Sequence, residues 1–152
     1  MVGGWAVEGI LGANSGAPLN ILLGRDVVGN GRANGQRPDA VLGQDWRASG
    51  GNGFTWLNTA AFDATGPARD HRFGTLGFNT ARGPGAFNWG VGIHKTIPIR
   101  EKHRVMFRLE MFNVLNHMVP NNPDTNMSSA TFGLITAGSA GRNIQLGLKY
   151  NF

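Results

Sequence analysis

The sequence predicts an all-β chain: an antiparallel transmembrane β-barrel segment, about the last four strands, with one long and one medium extracellular loop. Three observations carry that expectation. Several stretches alternate apolar and polar residues with a period of two. The composition is rich in Gly and poor in charge. The long and short connections fall in the order that a membrane barrel requires.

The elements follow in chain order. In residues 4–13, Trp5, Val7, Gly9 and Leu11 alternate with Ala6, Glu8, Ile10 and Gly12, which places the two sets on opposite faces of a strand. Asn14-Ser15-Gly16-Ala17-Pro18 is a turn cluster, and residues 19–23 read as a short continuation. Residues 24–87 are rich in Gly, Asn, Asp, Arg and Pro. They read as one long loop, out of place in a compact soluble domain but normal on one side of an outer-membrane barrel. In residues 88–97, Trp89, Val91 and Ile93 oppose Asn88, Gly90, Gly92 and His94. Pro98 lacks an N–H, so the ladder is expected to stop there. A short connection then leads into residues 104–113, where Val105, Phe107, Leu109 and Met111 oppose Arg104, Met106, Arg108 and Glu110. Helical spacing of Val105, Leu109, Phe112 and Leu115 competes locally, and the neighbouring alternating segments favour the strand. Residues 117–141 read as a second loop. In residues 142–152, Ile144, Leu146, Leu148, Tyr150 and Phe152 alternate with polar residues or Gly. That length suits a tilted membrane strand of about 9–11 residues.

A terminal strand of a soluble sheet with one wet face alternates in the same way. The connections separate the two readings. If Phe152 lies on the periplasmic side, the short connection 98–103 is periplasmic and both long ones are external, as barrels have them.

Composition narrows the classes further. Charged residues are 15% of the 152, against roughly 25% in ordinary soluble domains. Gly accounts for 24 residues, about twice the usual share. The hydrophobic fraction of 41% is too high for a disordered chain. The net charge of +5 raises nucleic acid as a partner. The densest basic cluster, however, is Arg100, Lys102 and Arg104 with Glu101 between them, so no nucleic-acid stripe exists and no such partner is expected. The absence of Cys excludes disulfides, thiolate metal sites and cysteine catalysis. No apolar run approaches 18 residues, so a membrane crossing rests on strands.

No catalytic, cofactor or metal site is expected, and the chain does not read as an enzyme. The acids are dispersed, the four His have no metal-ligand spacing, and the Gly-rich turns lack a phosphate-loop ending. Asp124, Asn126 and Ser128 alternate like part of a calcium loop, but Ser129 stands where that loop needs Gly and no Glu closes it. Arg104, Arg108 and Glu110 are candidates to face the lumen or a plug. Trp56, Phe62 and Phe73 are candidates for ligand contact in the long loop.

The order of motifs resembles the C-terminal end of TonB-dependent receptor-like proteins of the Oar-like type. The matching pieces run along almost the whole chain: Ser15-Gly16-Ala17-Pro18, Arg37-Pro38-Asp39, Trp56-Leu57-Asn58, Arg82-Gly83-Pro84-Gly85, Pro98-Ile99-Arg100-Glu101, Arg108-Leu109-Glu110-Met111-Phe112-Asn113 and Arg142-Asn143-Ile144-Gln145-Leu146-Gly147. The specificity lies in their order and spacing. The resemblance implies a parent barrel of about 22 strands, importing a bulky nutrient such as an oligosaccharide, peptide or metal chelate. It also implies that Phe152, with Tyr150 and Leu148, is the signal read by the barrel-assembly machinery. The implied partners are outer-membrane lipid, the rest of the barrel, a plug, and the TonB system acting through a preceding part of the protein. The family often has Asp where Gly90 stands, which bears on lumen contacts there. Two alternatives stay open: a non-transporting outer-membrane barrel or surface adhesin, and a soluble β-sandwich binding module.

Overall fold

The computed structural model describes residues 3–49 and 54–152. In chain order the strands are β1 (Trp5–Asn14), β2 (Pro18–Leu19), β3 (Asp39–Ala40), β4 (Phe62–Asp63), β5 (Ala81–Arg82), β6 (Ala86–Arg100), β7 (His103–Phe112) and β8 (Asn143–Asn151). One helical turn, α1, spans Thr65–Arg69. The chain divides into two compact units.

The sheet unit holds the four long strands in the order β1-β6-β7-β8, every pair antiparallel. Directly opposed residues share a face, so the register sorts the side chains. One face carries the rows Trp5–Lys95–Phe107–Leu148, Val7–Ile93–Leu109–Leu146 and Gly9–Val91–Met111–Ile144. The other carries Ala6–His94–Arg108–Gly147 and Glu8–Gly92–Glu110–Gln145. The apolar face is not covered by its own unit: Val7 is 72% exposed and Leu148 76%.

β6 runs past Pro98, contrary to the expected stop. Thr96 N–H donates to the Gly4 carbonyl, toward the β1 side. Alternate residues of a strand point their N–H the same way. The donor that Pro98 lacks would therefore point away from β7, and the β6–β7 ladder keeps its bonds. The connection shrinks to a two-residue turn, Glu101 and Lys102, between paired Arg100 and His103.

The loop unit comprises residues 15–85 and 120–138. Here the expectation of two separate, structureless loops is corrected. Leu22 bridges Asn126, Thr55 bridges Leu134, and the rings of Phe62 and Phe132 meet edge-on at 5.9 Å. Leu19, Ile21, Leu57, Phe62, Leu76 and Ala81 form a buried cluster. Residues 19–23 do not continue β1. Pro18–Leu19 pairs with β5, and Ile21 and Leu23 are buried. Burial alternates along the stretch, with Leu19, Ile21 and Leu23 turned inward and Asn20 and Leu22 partly exposed.

Polar groups fix the rest of this unit. Gln36 is 1% exposed, and its amide oxygen accepts from the Val27 N–H while its amide nitrogen donates to Asp26 and the Arg32 carbonyl. Arg72 grips Asp39 with two parallel hydrogen bonds of 2.9 and 2.6 Å, and the Thr75 N–H adds a third. The bond from Arg72 holds the Asp39 carboxyl down at about 2, below its ordinary 3.8. A carboxyl depressed by folding contributes stability above its unfolded value and loses it as the pH falls through the folded one. The loop unit should therefore weaken between about pH 4 and pH 2. Thermal unfolding followed by Trp46 and Trp56 fluorescence at pH 5 and pH 2 measures this, and Asp39→Asn should shrink the difference.

Candidate functional site

The polar face of the large sheet carries the densest chemistry. β1, β6 and β7 present Glu8, His94, Arg108 and Glu110 in two adjacent rows. His94 Nε2 lies 3.2 Å from the Glu8 carboxylate. Arg108 Nε lies 3.1 Å from His94 Nε2 and 3.1 Å from the Glu110 carboxylate. Arg108 Nε is shared between the His94 ring and the Glu110 carboxylate, so the four side chains form one continuous run of polar contacts. Exposed pairs of this kind contribute about 0–1 kcal/mol each, so they set polarity and shape more than stability.

Beside this network is an open groove of about 640 Å³, lined on this face by Glu8, Ile10, Gly90, Gly92, Glu110 and Phe112. Gly90 and Gly92 make its floor. A Cβ at Gly92 would press on the Glu8 side chain at 3.0 Å. Gly90, where the Oar-like pattern often has Asp, is therefore part of an open floor with no charge of its own.

The expected site residues divide. Arg108 and Glu110 lie in the network. Arg104 shares their face, opposite Pro98 and Asn151, but its side chain has no hydrogen-bond or ion-pair partner among the described residues. Of the loop aromatics, Phe62 is only 6% exposed and belongs to the loop unit's own core, so it offers no ligand surface. The Trp56 indole N–H donates to the Arg82 carbonyl, and the Arg47 guanidinium sits 4.9 Å over its ring. Phe73 is 60% exposed. The reading of single residues missed Phe78, which is 70% exposed with the Arg37 guanidinium 3.7 Å over its ring. Nothing local in the sequence marks that pair. At the chain end, Leu148 and Tyr150 lie on the apolar face, and Tyr150 stacks between His103 and Phe152 at 5.8 and 6.0 Å.

The Asp124 carboxylate accepts from the Thr131 hydroxyl and the Asn126 N–H, so the calcium-like spacing serves a turn. Among the described residues no cluster of three His, Asp or Glu could hold a metal.

A sheet with one exposed apolar face, one charged face and a tight turn at one end is the wall of a membrane barrel. A family model described as an outer membrane beta barrel domain matches residues 1–145. The chain belongs to that family, and its place is the outer membrane of Gram-negative bacteria. A soluble β-sandwich is thereby set aside. No curated protein and no solved structure matches the chain.

Proposed function

We propose that this chain is part of the wall of a TonB-dependent receptor-like importer, taking up a bulky nutrient such as an oligosaccharide, peptide or metal chelate. One observation carries the reading: the lumen-side face is charged, ion-paired and left open by glycine. Narrow barrels fill their interior with side chains. The row Glu8–Gly92–Glu110–Gln145 instead leaves a groove, as a wide lumen holding water and a plug would require. Arg104, Arg108 and Glu110 then face that lumen.

The loop unit favours a second reading. Its own core makes it a compact unit, and Phe73 and the Arg37–Phe78 pair are exposed upon it. Those features serve ligand capture in an importer and equally adhesion by a barrel that transports nothing.

Conductance of the full-length protein in a planar bilayer separates the two. An importer should be closed as isolated and should open large pores when a segment preceding these residues is deleted. If no such deletion changes the conductance, the importer reading fails and the adhesin stands.

A further inference from the structure

The β6–β7 turn gathers cations that the lumen and loop chemistry do not use. Arg100 and Lys102 are exposed, and among the described residues neither side chain has a hydrogen-bond or ion-pair partner. By contrast, Arg69 and Arg72 in the loop unit are both paired with Asp.

The register decides which way Arg100 faces. Ile97 pairs with Val105 and Pro98 with Arg104, but Arg100 pairs with His103. Ile99 is one extra residue on β6, a β-bulge. In an unbroken strand Arg100 would share the lumen face with Pro98 and Arg104. The extra residue moves it to the opposite face, and re-aiming a side chain is what such bulges do. His103 lies on the lipid face: its Nδ1 is 2.6 Å from the Tyr150 hydroxyl, and Tyr150 opposes Val105. One strand across, Lys95 extends toward the same end of that face, with its Nζ 4.8 Å from the Trp5 ring centre and 2.7 Å from the Gly3 carbonyl. The lipid face therefore ends in aromatic rings with cations beside them.

Aromatic rings settle at the headgroup level of a bilayer, and cations held there attract anionic lipid. The two-residue turn is of the periplasmic kind. We propose that Arg100 and Lys102, beside the stacked His103 and Tyr150, bind the phosphate of an anionic phospholipid in the periplasmic leaflet. The bulge at Ile99 exists to turn Arg100 toward it. This site is independent of whether the barrel imports anything.

Phosphatidylglycerol and phosphatidylcholine, titrated onto the full-length protein in neutral detergent and read by native mass spectrometry, provide the test. The wild type should prefer phosphatidylglycerol, and the preference should fall as salt rises. The double variant Arg100→Gln, Lys102→Gln should lose about thirtyfold of that affinity. Arg104→Gln removes one positive charge from the lumen face and should lose none. Absence of a preference in the wild type, or an equal loss in Arg104→Gln, overturns the site. Displacement of the lipid by millimolar inorganic phosphate makes it a free-phosphate site and overturns the lipid assignment. The wild-type preference and its salt dependence decide the matter even if the double variant does not fold.

Discussion

Leu146→Arg should disable the barrel, whereas Gln145→Arg, one residue earlier, should be tolerated. Leu146 is 70% exposed, opposes Leu109, and sits near the middle of β8 on the apolar face. Arg at the bilayer midplane of a barrel's lipid face costs about 2–4 kcal/mol. That is a large part of a marginal stability, and the variant should accumulate unassembled. Gln145 opposes Glu110 on the lumen face, where a guanidinium meets a carboxylate and water and the change should stay within about 1 kcal/mol. Urea unfolding of the full-length protein from lipid vesicles measures both. Equal costs would mean that the faces are assigned wrongly.

The second large effect lies in the loop unit. Leu57 is 0% exposed, packs in the cluster of Ile21, Phe62 and Leu76, and donates its N–H to the Gly133 carbonyl at 3.0 Å. Leu57→Ala should cost about 2–5 kcal/mol, through lost burial and the cavity left behind. A unit with so small a core cannot absorb that loss, so residues 15–85 should become open to protease. The sheet should survive, because its strands exchange their hydrogen bonds with one another and its apolar face meets lipid, with no part for Leu57. Trypsin digestion of whole cells, followed by a gel shift on heating, separates the two effects. A loop that stays resistant would contradict the shared core. A barrel lost together with the loop would contradict the independence of the sheet.

The four long strands were legible because a period of two is a local signal, and in β1, β6, β7 and β8 little interrupts it. Their faces were legible for the same reason. The loop unit was not. Its core joins Ile21 and Leu57 to partners as distant as Phe132, and contacts of that range leave no period in the sequence. What showed instead was Gly, Asn and Asp, which announce turns and conceal that the turns pack. Gln36 was invisible because its burial depends on Asp26 and the Val27 N–H, which a turn brings to it. Pro98 was misjudged because the rule against proline in ladders depends on the side to which the missing N–H would point, and only the register reveals that. Arg108 and Glu110 were found as lumen candidates by parity, whereas Glu8 and His94 joined them only when β1 was set beside β6. Phe62 was misplaced because an aromatic in a polar loop looks the same whether it packs inward or outward.

The account rests on β8 having one face in lipid and the other in water. The chain contains no Cys, so single cysteines at positions 143 to 150 report from this segment without native background. They would be introduced into a cysteine-free full-length protein, and their reaction with a water-soluble maleimide timed in native outer membranes. Positions 144, 146 and 148 should react slowly and 143, 145 and 147 fast, in strict alternation. Uniform rates along the strand, or the reverse alternation, would contradict it.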